Sequence, residues 1–453
     1  MSSKSLFHVI KDPVHGTMQF TDCEDRWIKP FINSPLFQRL RNIKQMGMTN
    51  LVFPGAVHTR FNHSLGCCYV ANQISTKIAL DDASRQLVVL ACLMHDIGHG
   101  PFSHAFEGIF TRNPIKHEDW TPSFLATYHN DEFITQYNQI NPDFPLSKEA
   151  LLRVEAMIMH TEKDNKLLAD IVSSQLDADR LDYLLRDAHF CGVSYGEYDL
   201  RWLLHVVTRV TANGEERLGI THKGIGAVEQ YLMARRLLMR NINHHQKKRA
   251  AETLLVKWLQ ELAVSVEDEP LFASIKETDL GQFFINVSRY NAGTQDKESF
   301  LTENFERYSN LYDYDVLAVI RQLSKLDSDH DAVLLAKRIQ ARALPKTYRL
   351  TKVQMKKAKA SIDIIKEKYK DTIRDWQLML IEAPHQSYTS QDDPIWVDDG
   401  DGLQPLGELS HLIGAMSDKL EYIDFLSIDH EALDTPAVKA LLAEIEMTKS
   451  IGV

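Results

Sequence analysis

The sequence predicts a mainly α protein that carries small β-hairpins and a C-terminal lobe, and three observations lead there. Apolar residues recur at helical spacing through most long segments. One stretch, "SRQLVVLACLMHDIG", is apolar on nearly every face, as a central buried helix is. Strand signals are confined to two short stretches.

Taken in order, "PLFQRLRNIKQM" places Phe37, Leu40, Ile43 and, less regularly, Met46 at the spacing of one helix face. Similar patterns run through "NKLLADIVSSQLDADRLDYLLRDAHF", "VEQYLMARRLLMRNI", "AAETLLVKWLQELAVSV" and "DAVLLAKRIQARAL". "LLHVVTRVTANGEERLGITH" sets an Asn213-Gly214 turn between β-prone flanks, and "PIWVDDGDGLQPL" has an Asp-Gly turn between two extended runs. Both read as small hairpins attached to a helical body. There is no internal repeat and no low-complexity tract. Pro345, where a basic segment begins, and the polar stretch "HQSYTSQDDP" are the boundary candidates. They divide the chain into a body, residues 1–345, and a C-terminal α/β lobe, residues 346–453.

A chain of 453 residues is long enough for a large core with an appendage, or for two to three domains. Its 44% hydrophobic and 25% charged residues are those of a soluble globular protein, against a disordered, collagenous or membrane class. The net charge of −11 makes the whole a poor electrostatic partner for nucleic acid or an anionic membrane. Five cysteines without CxxC spacing read as buried free thiols in a reducing cytosol. The N-terminus lacks the apolar region of a signal peptide, and no window approaches ~18 uninterrupted apolar residues. A cytoplasmic location is expected.

Histidines concentrate early, 15 of 19 lying before residue 246, which favours a site in that half. In "ACLMHDIGHGPFSHAFE" an apolar helix delivers His95 and Asp96 at its C-terminal end, where burying them unpaired costs several kcal/mol. A bound cation would compensate, because divalent metals accept imidazole nitrogen and carboxylate oxygen together. Further ligand candidates are His63, in "HTRFNHSLG", and Asp177 and Asp179, in "QLDADRLDYLLRD". The plainer reading is a helix end whose Asp96 accepts backbone amides beside a satisfied core histidine. Against it, Gly98 and Gly100 permit the turning that returns His99 and His104 to the same spot, with Glu107 placed to hold the His104 ring. Arg60, three residues before His63, can bind a phosphate oxygen.

These blocks resemble a known family. "HTRFNHS", "HDIGHGPFSH" and "DADRLDY" look like the H…HD…D signature of the HD-domain metal phosphohydrolases. "IKDPVHG", "FQRLRNIKQMG", "VFPGAVHTRFNHSLG", "KHE" and "LDADRLDYLLRDAHFCG" extend the likeness to the deoxynucleoside triphosphate triphosphohydrolases, of which dGTPases are one branch. The blocks run from about residue 9 to 245. The resemblance makes residues 1–345 an HD-type catalytic domain with its core at about 50–190.

It implies a divalent cofactor, magnesium, manganese or iron with zinc as a further candidate, held by His63, His95, Asp96 and Asp179. It sets His99, His104 and His117 around the scissile α-phosphate, with Arg60 and Arg180 on phosphate oxygens. Tyr183 and Asp187 would meet the deoxyribose and Gln45 would approach it from the other side. The implied reaction releases deoxynucleoside and inorganic triphosphate from a dNTP. The departing 5′-oxygen needs a proton, and His104, steadied by Glu107, is the expected general acid. His117, beside Glu118, is the competing candidate.

Departures stand beside the matches. Relatives carry an Arg followed four and eight positions on by aromatic or His residues; here Arg235 is followed by Met239 and Asn243. Nucleotide-activated members bind a guanine nucleotide near "DPVHG", for which Arg41 matches a phosphate contact, but Asn33 stands where an acidic residue reads the guanine. A nucleotide effector and a homo-oligomer, dimer or tetramer, are the partners implied. The family's SAM domain has no counterpart before the "IKDPVHG" block.

Two basic patches remain. "RRLLMRNINHHQKKR", Arg235 to Arg249, and Arg342 to Lys370, with ten basic residues against two acids, read first as solvated helix faces. An effector-phosphate or oligomer-interface site comes second and nucleic-acid binding third. His244 and His245 have no accompanying carboxylate, so a surface role is expected, and His15 and His58 are expected to serve packing or to back the ligands. The alternatives to dNTP hydrolysis are an HD phosphohydrolase acting on another nucleotide or phosphate ester, and a nucleotide sensor without turnover.

Overall fold

The computed structural model describes residues 8–20, 26–267, 269–386, 388–389 and 393–449. The chain opens with an antiparallel hairpin that the sequence reading did not anticipate, β1 (His8–Asp12) and β2 (Gly16–Phe20), closed at Gly16 with φ 72°. The predicted helix over "PLFQRLRNIKQM" is a correction. Pro35–Gln38 is one α-helical turn, Arg39–Asn42 is a 3-10 turn, and Ile43 is already extended. Backbone bonding explains the break: the Arg60 amide donates to the Ile43 carbonyl and the Gln45 amide to the His58 carbonyl. Those bonds pull the segment straight while Phe37, Leu40 and Ile43 stay in the core.

Three helices then build the centre. Arg60–Lys77 starts where the Asn62 side chain accepts the Thr59 amide. Asp82–Met94 is capped by Asp81, which accepts from the Ser84 amide at 2.9 Å, and every residue from Arg85 to Met94 is buried. This is the all-round apolar helix the sequence predicts. Ala178–Cys191 is capped by Asp177 and stopped by Gly192 at φ 69°. It packs so closely on the first helix that a Cβ added to Gly66 would lie 1.8 Å from Asp182 Oδ1.

The hairpin at Asn213-Gly214 forms as expected, with φ 55° and 83°, joining β3 (Val207–Ala212) to β4 (Glu215–Thr221). Three strands of the later chain, β5 (Lys346–Leu350), β6 (Leu378–Ile381) and β11 (Asp424–Ile428), form one sheet in the order β5-β11-β6. A second pair joins β7 (Pro384–Gln386) to β10 (Leu420–Tyr422). The other expected hairpin, β8 (Trp396–Asp398) with β9 (Leu403–Pro405), also forms, but not as a separate attachment. β8 pairs in parallel with β4, so the two hairpins make one four-stranded sheet, order β3-β4-β8-β9. Arg217 fastens the join, reaching Asp170 at 2.7 Å and Asp393 at 2.9 Å.

Among the described residues, beside a small buried cluster of Ile381, Ala383, Ile423 and Phe425, there are two main ones. The larger holds the central helices and also takes Trp376, Ile395, Val397 and Leu406 from the later chain. The smaller packs helices Lys352–Lys368 and Pro436–Lys449 on the β5-β11-β6 sheet. Lys352, Lys356, Lys359 and Lys368 lie on the exposed face of their helix, the solvated role read from the basic run. Cys67, Cys68 and Cys92 are buried free thiols and Cys191 is half-buried; Cys23 lies outside the described residues. Among the described residues no helix is long and apolar enough to cross a membrane.

Gly66→Ala should therefore destabilise the protein by about 3 kcal/mol or more, because the methyl must displace the buried Asp182–Arg186 pair. Denaturant unfolding beside the wild type measures it, and an unchanged midpoint would contradict the packing described.

Candidate active site

The first helix delivers His63, the end of the second delivers His95 and Asp96, and the first turn of Ala178–Cys191 delivers Asp179. Their donor atoms converge. His63 Nε2 lies 2.9 Å from Asp179 Oδ1 and 3.6 Å from Asp96 Oδ2. His95 Nε2 lies 3.4 Å from Asp96 Oδ1 and 3.6 Å from Asp179 Oδ1. Asp177, the alternative that spacing left open, is engaged otherwise: it caps its helix and pairs with Arg180.

The two imidazoles have fixed tautomers. His63 Nδ1 lies 2.8 Å from Asp182 Oδ2, and His95 Nδ1 lies 2.8 Å from the Cys92 carbonyl. Carboxylate and carbonyl oxygens only accept, so both Nδ1 atoms carry the hydrogen and both Nε2 atoms present lone pairs to carboxylates. Lone pairs facing anions repel unless a cation lies between them. Without a metal a proton must serve: burial opposes it, but hydrogen bonds that the ring donates to Asp179 and Asp182, with the charge of Asp96, push the His63 pKa up to about 10. His95 Nε2 has no hydrogen-bond partner although it is buried. Two imidazole nitrogens and two carboxylates in this arrangement fit a divalent ion. Cys67 Sγ also lies nearby, but at 3.5 Å from both His63 ring nitrogens it sits over the ring face, outside the plane of the lone pair.

Behind the ligands stands a buried network. Asp182 accepts from His63, from His15 at 2.6 Å and from Arg186 at 2.8 Å, and Arg186 also reaches Asp12 of β1 at 2.7 Å. His58 holds Asp187 at 2.8 Å. The packing role expected of His15 and His58 is thus specific: each orients a carboxylate.

In front of the ligands is a cavity of about 750 Å³, within the range of small-molecule sites. Gln45, Arg60, Arg180, Tyr183 and Asp187 line it, together with His99, His104 and His117. Arg60 is buried, pairs with Asp96 and donates to Ser103 Oγ at 2.8 Å. Burial, together with Arg60 and His117, holds His99 neutral by pushing its pKa well below the usual range. Its ring stacks on His117 at 3.5 Å. Glu107 serves both candidate acids, lying 2.8 Å from His117 Nδ1 and 3.2 Å from His104 Nδ1. His104 is 70% exposed at the mouth, whereas His117 is 14% exposed. Between His99 and His104 the backbone is strained: Phe102 and Ser103 have φ 54° and 56°, at about 1–3 kcal/mol each.

Two placements, those of Arg235 and His244, differ from expectation. Arg235 is outside the cavity wall and donates to Gln175 at 2.7 Å, while Met239 and Asn243 are in the wall, on a π-helical turn. Asn33 and Arg41, expected at a separate effector site, are exposed and outside this cavity, Arg41 lying over the Phe61 ring at 3.6 Å. His244, expected at the surface, lines the cavity, because the π turn widens the helix there. The sequence reading missed His160, Glu252 and the buried Lys248 as wall residues. The basic run "NHHQKKR" was the available signal for Lys248.

A model of the HD domain matches residues 60–187, the segment that supplies all four converging side chains. The chain carries an HD domain. An uncharacterised protein of Bacillus subtilis (strain 168), YwfO, is 39% identical over 58% of this chain and 57% of its own length. The deoxynucleoside triphosphate triphosphohydrolase SAMHD1 of Gallus gallus is 30% identical over 56% of this chain and 45% of its own. The chain thus spans less than two thirds of these relatives. The crystal structure of a phosphohydrolase from Bacteroides thetaiotaomicron superposes with a TM-score of 0.73 at 25% identity, covering 93% of this chain and 99% of that one. The HD domain therefore sits in the mainly α fold of HD phosphohydrolases.

Glu107 offers a test by pH. Burial alone would raise its pKa, but hydrogen bonds from His104 and His117 lower it from 4.5 to about 2. A depressed carboxylate stabilises the fold above its unfolded pKa and loses that contribution as pH falls through the folded value. Glu107→Gln should cost up to about 3 kcal/mol at neutral pH, and the deficit should shrink between pH 4.5 and 2. Unfolding free energies of both proteins across that range check this; a deficit independent of pH would contradict it.

Proposed function

We propose that the protein is a metal-dependent phosphohydrolase that cleaves dNTPs at the α-phosphorus, giving deoxynucleoside and inorganic triphosphate. The observation that carries the reading is the pair of tautomer-locked imidazoles facing two carboxylates at the floor of a cavity with a cationic wall. The named activity of the Gallus gallus relative supports the choice of dNTP.

His63, His95, Asp96 and Asp179 hold the divalent ion, with magnesium, manganese and iron as the candidates. When bound, the ion draws charge from a phosphoryl oxygen and lowers the pKa of a water. Arg60 and Arg180 neutralise charge on the substrate's phosphates, and their tethers to Asp96 and Asp177 hold both guanidinium groups in place beforehand. His99, neutral and stacked on His117, leaves room for an anion without adding a competing charge. The leaving 5′-oxygen receives a proton from His104, which its exposure lets solvent resupply and which Glu107 orients. Tyr183 and Asp187, the latter aimed by His58, take the sugar, with Gln45 opposite. A nucleotide effector at Asn33 and Arg41 would act from outside this cavity.

Chromatography of products from each dNTP, alone and in mixtures, with magnesium or manganese, tests the reading. Triphosphate and deoxynucleoside should appear with the wild type and vanish with Asp96→Ala, while His104→Ala should slow turnover by about 10²–10⁴. Orthophosphate or a nucleoside monophosphate would assign a different phosphohydrolase. Nucleotide binding without hydrolysis would leave a sensor.

A further inference from the structure

The loop that carries His99 and His104 holds its strained backbone with help from a distant part of the chain. Phe102 and Ser103 are consecutive non-glycine residues at positive φ, and both line the cavity. Left to itself such a loop relaxes, and relaxation would swing His104 relative to His99.

What opposes relaxation comes from more than 200 residues away. Asp313 opens the helix Asp313–Leu323 and is 2% exposed. Its Oδ1 accepts the Phe102 amide at 2.7 Å and its Oδ2 accepts the Lys44 amide at 3.0 Å. One carboxylate therefore joins two cavity walls, the His99–His104 loop and the segment Gln45–Gly47. Ser103 reinforces the joint: its Oγ accepts from Arg60 and donates to the Lys44 carbonyl at 3.0 Å. From the neighbouring helix, Lys297–Ser309, the Tyr308 hydroxyl donates to the Gly98 carbonyl at 2.8 Å. The Tyr308 ring also lies where a Gly100 side chain would be.

We propose that Asp313 is a positioning residue, which staples the His99–His104 loop to the Lys44–Gly47 wall and keeps the loop in the strained form that aims His99 and His104 into one cavity. Burial of a charge is the reason to expect a purpose. It pushes the Asp313 carboxyl up to about 6, against the two amide bonds and the charges of Lys44 and Arg60. An amide in its place keeps the shape but sets an –NH2 against one of the two N–H groups, so one bond is lost.

The structural claim stands apart from the proposed dNTP reaction, and only the activity measurement rests on that reading. Residue-resolved hydrogen–deuterium exchange on the intact, manganese-loaded protein tests it. In the wild type the Phe102 and Lys44 amides should be protected like those of the Arg60–Lys77 helix. In Asp313→Asn, amides from 98 to 107 should exchange about tenfold faster, with the helix and the manganese content unchanged. In the same variant kcat should fall about tenfold with little change in KM. Free-loop exchange at Phe102 and Lys44 in the wild type would overturn the proposal, and that arm stands even if the variant fails to fold. Unchanged exchange in a folded variant would also overturn it, whatever its activity. If the wild type cleaves no dNTP, the reaction is wrong while the exchange data still decide the clamp.

Discussion

The Asp182 carboxylate is the contact on which the site depends. It accepts the hydrogen bond from His63 Nδ1 and so turns the Nε2 lone pair toward Asp96 and Asp179. A bare carboxylate in the core would cost several kcal/mol, and Arg186 and His15 offset this by filling its remaining lone pairs. Arg186 in turn needs Asp12, which brings the N-terminal hairpin into the same network. Gly66 is bare because the helices must close on this network. Removing a partner leaves a buried charge uncompensated, so stability and ligand geometry are set by the same atoms.

On the open side the structure trades backbone comfort for placement. The chain runs from Asp96 through His99 to His104 in a loop that two left-handed residues shape and that later helices brace. Glu107 then holds two imidazoles with one oxygen, and its pKa of about 2 keeps that oxygen an acceptor across the ordinary pH range. The result is a rigid floor of nitrogen and carboxylate donors under an open, cationic cavity. Such preorganisation suits charge that develops on a phosphate.

Much of this was legible in the sequence. The all-round apolar character of Arg85–Met94 could only mean a central helix, and a histidine and aspartate at its end had to be compensated. The Asn213-Gly214 turn likewise fixed its hairpin by local chemistry. What was not legible depended on contacts distant in sequence. The "FQRLR" segment has a helical pattern, but bonding to residues 58–60 straightens it at Ile43. Asp182 sits in the same helical run as Asp179, and nothing local says that one faces the His63 and His95 Nε2 atoms and the other a buried arginine. Lys248 read as part of a solvated basic run, and only the packing of its helix, Gln246–Ser265, shows that it is buried in the cavity wall. Asp313 reads as an ordinary first-turn acid, and only the fold reveals the two amides it accepts.

The central claim is that His63, His95, Asp96 and Asp179 bind one divalent ion. Anomalous diffraction from crystals of the protein loaded with manganese tests it most directly. The account predicts a single strong peak about 2.0–2.3 Å from both Nε2 atoms and from an oxygen of each carboxylate. A peak among His99, His104, Glu107 and His117 instead, or no peak with the four side chains as described, would contradict it.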